Sequence, residues 1–227
     1  MIQRYRVRPA RKPLLTIAVA LVMAIGNSGC SLFVMAGKML MGDPMVPSEF
    51  RQKTGVNLQK DQKRLLIVCS SPEWAKREMP AIDYDLADGI LKRLKRRGIL
   101  VVESHKVARW FDDNGGAFDD PSQLAREFDT DFIAHIDLHY LSFQEENSPT
   151  MHRGKAHGDM FVYAVVKIDG QKHAQQVFVG EFSVEYPRYN PIPIEQVAPK
   201  VFRKQFLDQL ISELSRVFHD YSMSETI

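Results

Sequence analysis

Cysteine is almost missing from this chain. Two in 227 residues, Cys30 and Cys69, cannot build a disulfide scaffold. Several catalytic signatures are missing too: there is no Gly-x-Ser-x-Gly elbow, Walker loop, His-Glu-x-x-His or Gly-x-Gly-x-x-Gly. Serine-hydrolase, nucleotide, zincin and dinucleotide chemistry therefore have no foothold. Internal repeats and low-complexity stretches are absent as well. Acids do not occur in the first 29 residues, where Arg4, Arg6, Arg8, Arg11 and Lys12 gather. Removing that segment leaves 25 basic against 28 acidic side chains, a net of −3. The formal +2 of the whole chain belongs to its N-terminus, which argues against a nucleic-acid partner. What remains, 44% apolar and 26% charged, is a globular composition and excludes disorder.

The N-terminus reads as an export address. A basic stretch over 1–12 precedes an uncharged run, Leu14 to Gly26, and the small residues Ser28-Gly29 precede Cys30. Ser28-Gly29-Cys30 resembles the lipobox of bacterial lipoproteins, with Asn27 where that motif usually has Leu. The resemblance implies a signal peptide over 1–29 and diacylglycerol attached to Cys30. A second arrangement stays open: Leu14 to Gly37 carries no charge and is long enough for a single transmembrane anchor. Both put the remainder outside the cytosol, because the leading positive charges favour a cytoplasmic N-terminus. With Cys30 acylated, the apolar stretch from Leu32 to Met41 could lie against the membrane surface.

Residues 30–62 read as this apolar anchor segment followed by a linker, in which Phe50, Val56 and Leu58 are the apolar anchors. A domain is expected over 63–221, with a short tail over 222–227. Arg64 to Ser70 is a short apolar run that suits a buried strand. Ile82, Leu86, Ile90, Leu91 and Leu94 recur at helical spacing before Gly98, predicting a helix over 81–97. Ile99 to Glu103 follows as a strand, so the three form a right-handed parallel crossover. A helical segment is expected from His105 to Asp112. Asp120-Pro121-Ser122-Gln123 supplies an N-cap, a first-turn proline and a capping-box glutamine for another. Phe132 to Tyr140 alternates apolar and polar residues as a strand, and strands over 159–169 and 176–186 form a hairpin about Asp169-Gly170. A closing helix carries Phe202, Phe206, Leu210, Ile211 and Leu214. The fold class is α/β: one mixed sheet of about five strands, in the order β-α-β-α-β-β-β-α, packed by helices.

That order resembles the periplasmic α/β domain of the TolB amino-terminal region, the curli secretion channel lipoprotein and the penicillin-binding-protein activator lipoproteins. The carrying features are Cys30, the strand RLLIVCSS, the helix IDYDLADGILKRLKRRG, the strands ILVVES and TDFIAHIDLHYL, the hairpin and the final helix. The chain is also similar to an uncharacterised class of exported planctomycete lipoproteins. The resemblance is topological and brings no binding residue with it; it implies non-enzymatic work on a larger envelope assembly.

The residues offer two kinds of site. His135-x-Asp137-x-His139 places two imidazoles and a carboxylate on one strand face, about 6.8 Å apart in succession, a donor set suited to zinc. Glu181, Ser183 and Glu185 alternate on a neighbouring strand and could share that face. A solvated polar face is the alternative. The other kind is a partner surface: the loop with Tyr186, Arg188 and Tyr189, or the basic end of the first long helix with Lys92 and Arg96. Cys69 fails as a phosphatase thiolate, since Ala75 stands where Cys-x5-Arg needs arginine. The loop 112–120 fails as an EF-hand, since Gly116 and Ala117 stand where a ligand and then glycine are needed. These observations predict a membrane-anchored envelope lipoprotein facing the periplasm, not an enzyme, with no cofactor and an envelope protein as partner. The alternative is a metal-binding protein or metal-dependent hydrolase using the histidine face. Partner identity and oligomeric state stay open.

Overall fold

A computed structural model describes residues 45–116 and 120–222. The expected lipid site Cys30, the alternative anchor over 14–37 and almost all of the C-terminal tail lie outside them. Among the described residues no helix is long and apolar enough to cross a membrane.

Within Val46–Tyr221 the chain runs α1 (Glu49–Thr54), β1 (Arg64–Ser70), α2 (Glu73–Glu78), α3 (Ile82–Arg96), β2 (Leu100–Val101), α4 (Ser104–Asp113) and α5 (Pro121–Glu127), then β3 (Phe132–Glu145), β4 (Ser148–Ile168), β5 (Gln171–Tyr186), β6 (Ile192–Pro193) and α6 (Pro199–Arg216). One mixed sheet of six strands has the order β2-β1-β3-β4-β5, with β6 also paired to β4. β1 is parallel to both β2 and β3, and β3, β4 and β5 are successively antiparallel. The α/β class and the parallel pairing of β1 with β2 are as expected from the sequence.

Strand β1 has helices on both sides and therefore reads as a continuous apolar run. Leu65 and Ile67 join the main core with α3, α6 and Phe50 of α1, whereas Leu66 and Val68 join a smaller core under α4 and α5. Helix α6 comes close to β4 because Gly154 has no side chain: a Cβ there would lie 2.2 Å from Cγ of Phe206.

Three differences from expectation have physical causes. Strand β2 shortens to two residues because Ser104 already starts α4, its hydroxyl donating to Asp88 Oδ1 of α3 at 2.6 Å. The β4–β5 hairpin is far longer than 159–186, since residues 148–158 of β4 find backbone partners on β3 and β6 as well. The expected linker folds onto the domain from Val46 on. Phe50 and Leu58 are fully buried, and Asp220 accepts from Ser48 N, Arg51 Nη1 and Asn57 Nδ2 at 3.0, 2.5 and 3.1 Å. Apolar residues in a linker were the sign of this.

Both sheet edges are guarded. β2 is short, and along β5 Lys53 Nζ donates to Val179 O while Ser122 Oγ accepts from Ala174 N. An edge strand covered in this way by side chains of neighbouring helices is blunted against edge-to-edge pairing.

Candidate functional site

The chain leaves β1 on one side through α3 to β2 and returns on the other through α4 and α5 to β3. Where crossovers diverge in this way, a crevice opens beyond the carboxyl ends of the strands. Here it is a cavity of about 360 Å³ beside Cys69. Ala87, Val107 and Phe111 line its apolar wall, and Lys76, Asp83 and Ser104 are among its polar groups. Lys76 Nζ lies 3.4 Å from Asp83 Oδ2, while Asp83 Oδ1 and the neighbouring Ser71 Oγ are both shut off from solvent, with the serine hydroxyl serving the carboxylate. Burial pushes the Asp83 carboxyl up, against the lowering pull of Ser71 and Lys76. Burial, and then Asp83, push the Cys69 thiol well above its usual range. A thiol kept protonated is a poor nucleophile, so Cys69 serves as packing.

On the other side of β1 the sheet face changes character along its length. Helices α4 and α5 cover it as far as Ile133, Tyr163 and Val165. Past that point His135, Asp137 and His139 follow on β3, with Phe161 and Asp159 opposite them on β4. Ser70 Oγ donates to Asp137 Oδ1 at 2.7 Å and lies 2.8 Å from His135 Nε2. A carboxylate only accepts, so the hydroxyl proton belongs to Asp137 and His135 reaches Ser70 as a donor. This is the reverse of a serine nucleophile activated by histidine. Burial pulls the His135 imidazole below its ordinary pKa, opposed by Asp137 and Asp83.

The expected triplet does not converge. A bulge between Leu138 and Tyr140 inserts His139 as an extra residue, which breaks the even spacing of a flat strand. His139 Nε2 comes to 3.3 Å from Asp137 Oδ2 and 3.6 Å from Asp159 Oδ2, whereas His135 turns to Ser70. No group of three metal-ligating side chains gathers among the described residues.

The register instead lines up carboxylates. Asp137 pairs with Asp159, and Asp159 with Glu181 of β5. The Asp137, His139 and Asp159 side chains keep 40%, 46% and 32% of their surface exposed, which leaves the row open to a partner. The next row holds aromatics: Tyr140 stacks on His157 at 5.0 Å, and exposed Trp74 of α2 lies 6.2 Å from Tyr140. Ser183 faces His157, so two of the three β5 residues named from sequence alternation, Glu181 and Ser183, fall in these rows. Glu185 lies farther out, ion-paired to Arg153, which also holds Glu145.

The partner-surface candidates divide. Tyr186 packs on the main core, its ring 6.0 Å from Phe202, while Tyr189 is 83% exposed and Arg188 is exposed. Lys92 and Arg96 are exposed on α3, with Lys92 paired to Asp88 at 2.6 Å. That pairing raises the pKa of the Lys92 ammonium. Arg93, between them, is spent on α6, donating to Asp208 O at 3.1 Å.

No protein-family model and no curated protein matches the chain. Among solved structures it is similar to lipoprotein GNA1162 from Neisseria meningitidis, at 16% identity and TM-score 0.40, covering 67% of this chain and 94% of that one. It is similar to the PelC dodecamer from Paraburkholderia phytofirmans at 10% identity and TM-score 0.42, over 78% and 96% of the two chains. It is also similar to the hypothetical protein CT253 from Chlamydia trachomatis at 9% identity and TM-score 0.39, over 69% and 97%. Likenesses this distant leave function to the chain's own residues.

Sequence reasoning missed Ser70, Trp74, Asp83 and Asp159. Ser70 was legible as the residue two beyond Val68 on the same face. Asp159 required the β3–β4 register, which no local pattern carries.

Proposed function

We propose that this chain is a membrane-anchored envelope lipoprotein, held through Cys30 and facing the periplasm, that works by binding a protein partner and not by catalysis. The partner docks on the uncovered part of the sheet and presents a basic segment to it. The observation that carries this reading is the in-register row Asp137, Asp159 and Glu181 on an open face beside Trp74 and Tyr140. Like charges placed directly opposite one another destabilise a sheet. Among the described residues the His139 imidazole is the basic group beside the first two, at 3.3 and 3.6 Å, and a cationic partner would relieve the row. The exposed Trp74 ring and the half-buried Tyr140 beside the row supply apolar anchors of the kind that dominate interfaces.

The test is crosslinking in the native envelope from a photoreactive residue at position 183, with the partner identified by mass. The expected result is one envelope protein, captured from wild type, lost in the Asp159→Asn/Glu181→Gln double variant and retained in Tyr189→Ala. Capture that survives the double variant would overturn the assignment of this face. The intact mass of the mature chain, with Cys30→Ser as control, tests the anchor: a lipid-shifted chain beginning at residue 30 is expected, and an unprocessed chain would replace it with the transmembrane arrangement.

A further inference from the structure

The end of the domain at which β1 begins carries the positive charge that the rest of the chain lacks. Helix α3 finishes there, with Gly98 against the 57–62 turn, where an added Cβ would come to 3.4 Å from Gln59 Nε2. The segments that meet at this end, 48–64, 88–103, 126–131, 165–174 and 212–220, hold 14 basic and 10 acidic side chains. Their net of +4 stands against −3 for residues 30–227 as a whole. Lys92 and Lys95 keep 71% and 62% of their side-chain surface exposed although Asp88 and Glu103 pair with them, and exposed pairs of this kind are weak. Lys60 and Arg96 are exposed as well, and no ion pair among the described residues engages them.

Two further observations say what faces these bases. The β4–β5 turn projects past the same end: Val165 N donates to Asp131 O at 2.8 Å, and beyond it Ile168 is 53% exposed, with Lys167 and its cross-strand neighbour Lys172 behind it. An exposed apolar tip backed by cations suits the boundary between headgroups and acyl chains. The chain also enters the domain here. Phe50 N donates to Val217 O at 3.1 Å and the Phe50 ring packs on Phe132 at the start of β3; fifteen residues lie between Cys30 and Val46. We propose that this end is a membrane-contacting surface that binds anionic phospholipid headgroups. The proposal rests on the anchor reading for the bilayer at this end, and it gives the domain an orientation. Asp137 pairs with Ser70 at the far end of β1, about 20 Å along the strand from Arg64. The acid row, repelled by anionic headgroups, therefore faces away from the bilayer.

The experiment uses the full-length chain, purified in detergent and returned to vesicles of phosphatidylcholine, alone or with about 30% phosphatidylglycerol. Lysines are acylated with an N-hydroxysuccinimide ester and read site by site by peptide mass spectrometry. Lys60, Lys92 and Lys95 should react at least about threefold more slowly with phosphatidylglycerol present, and about 0.5 M salt should restore their rates. Lys76, at the cavity, and Lys204, early in α6, lie toward the other end and should not change. The Lys60→Gln/Arg96→Gln double variant, shown to be folded by its melting, should lose most of the protection at Lys92 and Lys95. Equal rates in the two lipids, protection that survives salt or the double variant, or equal protection of Lys76 and Lys204 would each overturn the proposal. Protection in intact envelopes but not in phosphatidylglycerol vesicles would assign this end to an acidic protein and overturn it too. Flotation with phosphatidylcholine alone tests the anchor separately: a chain that floats only with phosphatidylglycerol loses the anchor and keeps this surface, and one that floats with neither loses both.

Discussion

Asp137 and Asp159 stand directly opposite each other on adjacent antiparallel strands, and the His139 imidazole lies within 3.3 and 3.6 Å of their carboxylates. Residues that oppose stability on an exposed face are the ones whose removal separates folding from function. Asp159→Asn should therefore stabilise the protein by about 0.2–1 kcal/mol in urea unfolding while weakening partner capture. A loss of stability of that size would mean that the row is structural.

Ser70 joins two strands through His135 and Asp137. Ser70→Ala removes one hydrogen bond from each and leaves polar groups half-buried, a cost of about 1–3 kcal/mol. Partner capture should persist, because Asp137, Asp159 and Glu181 all keep their carboxylates. Unchanged stability in Ser70→Ala would show that the hydroxyl does not hold these strands.

The His135 imidazole is held below its ordinary value of 6.5 by burial, so the unfolded chain takes up the proton first. This contribution to stability is fully present above pH 6.5 and is lost as pH falls through the folded value. Asp83 has the opposite sign. Its carboxyl is raised above 3.8, so its unfavourable charge burdens the fold at neutral pH and is relieved in acid. Asp83→Asn should be more stable than wild type at neutral pH, the difference closing as pH approaches 3.8. His135→Gln should flatten the decline just below pH 6.5. Parallel stability–pH curves for wild type and both variants would refute these assignments.

How far the sequence revealed this arrangement depends on whether the signal was local. Arg64–Ser70 and the helix beginning at Ile82 were legible because burial on both faces, or on one stripe, writes itself into consecutive residues. Asp120 was legible as an N-cap, and its Oδ1 does accept from Ser122 N at 2.8 Å. The histidine strand was read with the correct face but the wrong spacing, because the bulge at His139 depends on the partner strand. The acid row and the cavity come from register and crossover geometry, where residues distant in sequence meet. The two-residue β2 was overestimated because Val102 is buried without extending the strand.

Phe50 tests where the folded domain begins. Its ring is fully buried, 5.3 Å from Phe132 and 6.0 Å from Phe218. Phe50→Ala should cost about 3–5 kcal/mol, and a chain starting at Lys63 should lose cooperative unfolding. Full stability in either would return residues 46–62 to the linker.

The bulge that places His139 depends on a glycine across the strand pair. Gly158 pairs with Leu138, and a Cβ at 158 would lie 2.1 Å from Asp137 O and 2.9 Å from Cζ of Phe182. The backbone carbonyl cannot move without breaking the β3–β4 pairing, so Gly158→Ala should cost about 1–3 kcal/mol or more. It should also disturb the acid row. Gly89 makes the contrast: a Cβ there would meet Ile211 Cδ1 at 2.5 Å, the far end of a flexible side chain. Alanine also favours the helix by about 1 kcal/mol over glycine. Gly89→Ala should thus change stability by less than Gly158→Ala, and only Gly158→Ala should weaken partner capture from the open face. Equal losses of stability, or capture unaffected by Gly158→Ala, would separate the bulge from the docking face.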